Sequence, residues 1–187
     1  MQAHANWEHQ LLSLAGHIPH PSTRPFFSYW AGDASLRSAY KQAEIITAAH
    51  SKSFHFASSL LPEEKRSAVR ALYAFCRTVD DIVDEVEMKK DRDFELDYWR
   101  NVVNTASAST DDLVAAAWAD TLTRYHIPRH YALQLVDGVA RDLSQTRYQT
   151  FDDLATYCYG VASTVGLMSM YIVGFKSHEA VSYAIKL

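Results

Sequence analysis

In the stretch RALYAFCRTVDDIVDEVE, Tyr73, Arg77, Asp80 and Asp84 are spaced by four, three and four residues. At about 100° per residue that spacing sets all four on one narrow stripe of a helix. The adjoining stripe is Val69, Leu72, Cys76, Val79, Val83 and Val86, an i, i+3, i+4, i+7 pattern that faces a core. The carboxylates therefore stand at the edge of an apolar wall, where two like charges one turn apart repel and call for a compensating cation. Oxygen-only ligands with room for water suit Mg²⁺, which binds through one or two carboxylates and fills its shell with substrate phosphates. Arg77 offers a fork of donors that suits a diphosphate. The same residues also fit a solvated acidic face on which Arg77 pairs with Asp80 or Asp81, and spacing alone does not separate the two readings.

Three other groups have chemical potential. Ser51, Lys52 and Ser53, in HSKSFHF, lie between an Ala-rich helix and a short segment ending at Leu61. Hydroxyls and an ammonium there can bind phosphate oxygens, or the serines can act as helix caps. Gly160, Ala162, Ser163 and Gly166 are small, and each glycine inside a helix costs about 1 kcal/mol relative to Ala. Beside Val161, Val165, Met168 and Met170 they leave room for a long hydrocarbon chain, or for close packing of another helix. Asp93 and Asp97 stand among mixed charges at a helix start and read as solvent-facing. The nine histidines show no metal spacing on an unbroken helix, since Pro128 separates His126 from His130.

These side chains need helices to position them. From Ser35 onward Gly and Pro are sparse, no Asn-Gly turn occurs, and apolar residues recur at three and four. An all-α chain follows. Pro62 with Glu63 and Glu64 suits the first turn of a long helix running to about Met88. Further helices are expected over about 93–106, 111–126, 129–144 and 152–175. Thr110 before two aspartates and Thr150 with Asp153 supply cap chemistry, and Pro128 stops a helix. Pro19, Pro21 and Pro25 leave residues 1–30 as an irregular or weakly helical arm, with the domain proper over 31–187.

Composition narrows the function classes. The 187 residues are 48% hydrophobic, enough for one domain with a sizeable core. A net charge of −4 with no basic block argues against nucleic acid as a partner. Two cysteines, Cys76 and Cys158, each within an apolar stretch, predict no disulfide framework and a reducing, cytoplasmic setting. The N-terminus lacks the basic region of a signal peptide. The most apolar stretch, near 160–175, is shorter than the roughly 20 residues a spanning helix needs.

HSKSF, LPEEKRSAVRALYAFCRTVDDIVDE and YCYGVASTVG, in this order and over about residues 45–175, resemble the squalene and phytoene synthase family of head-to-head prenyltransferases. The resemblance implies an all-α isoprenoid synthase bundle that binds two prenyl diphosphates, farnesyl or geranylgeranyl, with Mg²⁺. The reaction it implies passes through a cyclopropylcarbinyl diphosphate to a squalene- or phytoene-type product. Carried onto this chain, it makes Asp80 and Asp84 metal ligands and Arg77, Ser51 and Ser53 diphosphate contacts. It sets Tyr73 and Tyr157 at the reaction centre, with Tyr157 handling the proton and the rings of Phe54 and Tyr73 facing carbocations; packing is an equal role for Phe54. Val161, Ala162, Val165 and Gly166 correspond to positions that hold prenyl tails.

Two departures stand out. Ala162-Ser163-Thr164 replaces the usual Ala-Gly-Thr, and the family's second Asp-rich motif does not occur in these 187 residues. SHEAVSYAIKL resembles the approach to the helix that carries it, so the bundle is expected to be C-terminally incomplete. Catalysis then needs helices beyond residue 187. The alternative is a non-catalytic prenyl-diphosphate-binding module, or a half-site subunit that self-associates or meets a chain supplying the missing helices. A head-to-tail synthase is a weaker reading, opposed by Tyr157-Cys158. A water-insoluble product would favour peripheral contact with a membrane.

Overall fold

The computed structural model describes residues 6–16, 34–84, 91–106, 111–177 and 179–185. Within them α4 (Glu63–Asp84) is the longest helix, and the others gather round it. Its start follows Pro62 and carries Glu63 and Glu64 in the first turn, as the dipole favours. Val69, Leu72 and Val79 of the expected core stripe are buried, and Cys76 and Val83 pack partly buried against them. Val86 lies outside the described residues.

α4 is apolar on more than that stripe. Ala71 and Ala74 meet Ala39 and Ala43 of α2 (Ala34–His50) and Ala117 of α6 (Leu113–Arg124) in a layer of small side chains, joined by Tyr40. Small side chains let three helices approach closely. On another face Phe75 stacks on Trp118 at 4.6 Å and meets Trp99 of α5 (Arg92–Thr105) at 5.4 Å. Such aromatic pairs add about 0.5–1.5 kcal/mol each beyond their burial. α7 (Arg129–Ala140) brings Tyr131, Leu135 and Val136 into the same core. α3 (Lys52–Ser58) is a short link between α2 and α4. Every regular element among the described residues is helical, so the all-α expectation holds.

Three local expectations change. The N-terminal arm, expected to be irregular or weakly helical, is a helix over its described part: α1 (Asn6–Ala15), whose Leu11 and Ala15 are 3% and 1% exposed. Tyr131 donates its hydroxyl proton to the Ala15 carbonyl at 2.8 Å, and Gln134 donates to the Leu14 carbonyl at 3.1 Å. The prolines all follow Gly16, which ends α1 with a positive φ of 65°. They act only downstream of the helix, and Trp7, Leu11, Leu14 and Ala15 form an apolar face.

The helix expected over 152–175 is in fact α8 (Phe151–Cys158), a π turn over Tyr159–Ser163 and α9 (Thr164–Val173). The one expected over 129–144 tightens into a 3₁₀ turn over Arg141–Leu143. Cys158 is exposed on α8. Both cysteines are free. Thr150 does cap α8, accepting from the Asp153 amide at 3.1 Å. Asp112 caps α6, accepting from the Ala115 amide at 2.9 Å, while Thr110 lies outside the described residues. α10 (Glu179–Ile185) closes against α9. No helix among the described residues is long and apolar enough to cross a membrane.

Candidate active site

The stripe on α4 faces a cavity of about 260 Å³. Tyr73, Cys76, Arg77 and Asp80 form one wall, Leu135 and Val139 of α7 another, and Val161 of the π turn the third. One side is therefore polar and the other aliphatic. Four residues singled out in the sequence, Tyr73, Arg77, Asp80 and Val161, meet here. Asp84 lies one turn beyond Asp80, exposed on α4.

Electrostatics at this wall are unbalanced. Burial pushes the Asp80 carboxyl above its ordinary range, the Asp84 charge pushes it further, and Arg77 opposes both. Arg77 forms a close ion pair with Asp81 and a longer one with Asp80 at 3.6 Å. The pairing that competed with the site reading is thus present, and it holds the guanidinium at the cavity. Arg77 Nε is buried with no hydrogen-bond partner among the described residues. A buried donor without an acceptor costs about 1–3 kcal/mol. The oxygen-only carboxylate pair Asp80 and Asp84, strained by its own charge, fits a divalent cation such as Mg²⁺. Among the described residues no three metal-ligating side chains converge.

Phe54 and Tyr73 stack with ring centroids 5.2 Å apart and 22° between planes. That contact ties α3 to the α4 wall of the cavity. Ser51 caps α3, its Oγ accepting from the Phe54 amide at 3.3 Å, and Ser53 is exposed in the first turn. Neither serine lines the cavity.

Tyr157 donates its hydroxyl proton to Asp142 Oδ2 at 2.9 Å, and its ring lies 4.9 Å from that of Tyr148. Burial first, then the Asp142 carboxylate, pushes the phenol pKa up. The same Asp142 charge is felt at Asp80. Asp142 was not legible beforehand: it sits in the 3₁₀ turn after α7, where helical periodicity gives no face. Leu135 and Val139, four apart on α7, carried only a core signal.

The small residues of 160–166 serve packing more than the cavity. A Cβ on Gly160 would meet Gly138 Cα at 3.3 Å, and one on Gly166 would meet the Ala184 carbonyl oxygen of α10 at 3.7 Å. Ser163 donates to the Ile185 carbonyl at 2.8 Å. Ala162 is exposed, Val165 packs against the core, and neither lines the cavity.

Comparison with known proteins identifies the family. Residues 47–187 match the family model described as squalene/phytoene synthase. A 15-cis-phytoene synthase of Synechococcus elongatus is 40% identical over 145 residues, covering 77% of this chain and 47% of the relative. A chloroplastic phytoene synthase of Daucus carota is 37% identical, covering 74% and 35%. A dehydrosqualene synthase crystallised with a ligand superposes with a TM-score of 0.72 at 28% identity, covering 81% of this chain and 53% of that one. A squalene synthase from Alicyclobacillus acidocaldarius gives the same score and identity, covering 82% and 58%. The chain thus spans about a third to a half of the length of these sequence relatives. With the motifs of α3, α4 and α8 in place and the model matched from residue 47 to 187, the chain belongs to the squalene/phytoene synthase family.

Proposed function

We propose that the cavity on α4 is part of a site that condenses two prenyl diphosphates head to head. The observation behind this reading is the cavity itself, with Arg77 and Asp80 on one side and Leu135, Val139 and Val161 on the other. An anionic headgroup and a hydrocarbon tail each find a matching wall there. Asp80 and Asp84 would hold Mg²⁺, which when bound neutralises diphosphate charge as it develops.

The protein's own groups supply the rest. Arg77, at the cavity wall, supplies guanidinium charge to diphosphate oxygens. The aliphatic wall keeps water from a reactive carbocation. The Tyr73 ring, backed by Phe54, offers negative π density to that positive charge. Tyr157, kept protonated beside Asp142, holds its proton at Oη in a fixed direction. Loss of one diphosphate and one proton joins the two chains as a cyclopropylcarbinyl diphosphate; loss of the second diphosphate opens the ring, and a second proton leaves to give the phytoene-type hydrocarbon. The phytoene synthases among the relatives favour geranylgeranyl diphosphate and a phytoene-type product.

A second reading, a half-site that binds prenyl diphosphate without turnover, is favoured by the absence of a third converging ligand among the described residues. Such a half-site would pair with a second copy or with a chain supplying further helices. Incubating the chain with Mg²⁺ and either farnesyl or geranylgeranyl diphosphate separates the two. Diphosphate release with a thirty- or forty-carbon hydrocarbon supports the enzyme, and Asp80→Ala should then lower turnover by about a hundredfold or more. Mg²⁺-dependent binding without product supports the half-site, and no binding defeats both.

A further inference from the structure

Arg70 is 4% exposed, yet it takes no part in the cavity. Its three guanidinium nitrogens reach four acceptors. Nη1 donates to Glu44 Oε1 of α2 at 2.8 Å and Nε to Ser58 Oγ at 3.0 Å. Nη2 donates to the His55 carbonyl at 3.1 Å and to Ser59 Oγ at 2.9 Å. Three of these acceptors lie on α3 or at its end. A buried cation survives only when paired and fully hydrogen-bonded, and here the pairing defines where a short helix lies.

Arg70 stands on α4 one turn before Tyr73, and the His55 carbonyl it grips adjoins Phe54, which stacks on Tyr73. The short α3 has little other hold: Phe54, Phe56 and Leu60 are 37%, 73% and 80% exposed, and Ser58 alone on the helix is buried. We propose that Arg70 is a positioning residue. Its fork, braced by Glu44, locks α3 onto α4 and so keeps Ser51, Ser53 and Phe54 in register with Tyr73 and Arg77. The role rests on the prenyl diphosphate reading of the cavity. Lysine cannot replace it, because an ammonium is a point charge and cannot span Glu44 on one side and three α3 acceptors on the other.

The test uses the whole chain as wild type, Arg70→Met, Arg70→Lys and the paired Ser58→Ala, Ser59→Ala variant, which leaves the Arg70–Glu44 ion pair intact. Hydrogen exchange is followed over 52–60 and over 68–82, and Mg²⁺-dependent affinity for inorganic diphosphate is measured below each variant's melting temperature. In Arg70→Met, exchange over 52–60 should rise about tenfold or more while 68–82 keeps its protection, and affinity should fall about tenfold, as misplaced contacts dictate. The Lys and double-Ala variants should fall between. Unchanged exchange over 52–60 overturns the clamp. Loosened exchange with wild-type affinity overturns its role toward ligand. Should wild type itself fail to bind Mg²⁺ and diphosphate, the functional reading fails; loosened exchange then leaves Arg70 a purely structural clamp, which also overturns the positioning role. If Arg70→Met does not fold, the double-Ala variant decides between the same outcomes.

Discussion

Asp80 concentrates the electrostatic tension of the cavity, because burial and Asp84 both disfavour its charge. Its folded-state pKa lies above the ordinary 3.8. The folded chain therefore holds this proton more tightly than the unfolded chain does. Stability from that difference is full below the unfolded value and is lost as pH rises through the folded one. Asp80→Asn should thus melt higher than wild type at neutral pH without metal, with the gain fading as pH falls below the ordinary value. Mg²⁺ should raise the melting temperature of wild type and leave the variant unmoved. Equal melting at pH 7 would contradict the strain. Tyr157 gives a second residue-scale prediction: Asp142→Asn removes a charge that holds the phenol protonated, so the phenol pKa should fall in a spectrophotometric titration. Tyr73, Arg77 and Asp80 were legible in the sequence because one helix sets their geometry locally. Asp142 was not, since only tertiary folding brings the turn after α7 beside α8.

Between α7 and the π turn two backbones meet directly. A Cβ on Gly138 would lie 3.1 Å from the Gly160 carbonyl carbon and 3.2 Å from Val161 Cγ1. Backbone cannot yield as a flexible side-chain tip can, so Gly138→Ala should cost about 1–3 kcal/mol, read by chemical denaturation. The strain should also displace Val161 and reshape the aliphatic wall, so tail binding should weaken more than inorganic diphosphate binding. The sequence shows two glycines in helical surroundings and no sign that they touch. An uninterrupted helix over 152–175 was the natural reading because no proline breaks it. The extra residue of the π turn answers to packing against α7, which one-dimensional periodicity does not contain.

Over the whole molecule, α1 joins parts that are far apart in sequence. Trp7 meets Phe151 of α8 edge-on at 5.6 Å, and Leu11 and Ala15 enter the core beside α7. Leu11→Ala should cost about 2–5 kcal/mol, visible as a lower denaturation midpoint. An irregular arm there would give almost no loss. The sequence left this arm between irregular and weakly helical because three prolines dominate the local composition, although all of them fall after Gly16. The two cysteines add a practical contrast. Burial, with the Asp80 charge beside it, pushes the Cys76 thiol up to about 12, while Cys158 is exposed on α8 next to Tyr157. Thiolate is the form that alkylates. A maleimide dye at neutral pH should therefore tag Cys158 alone, giving the unmodified sequence a built-in optical reporter one residue from the phenol, with no cysteine to remove first.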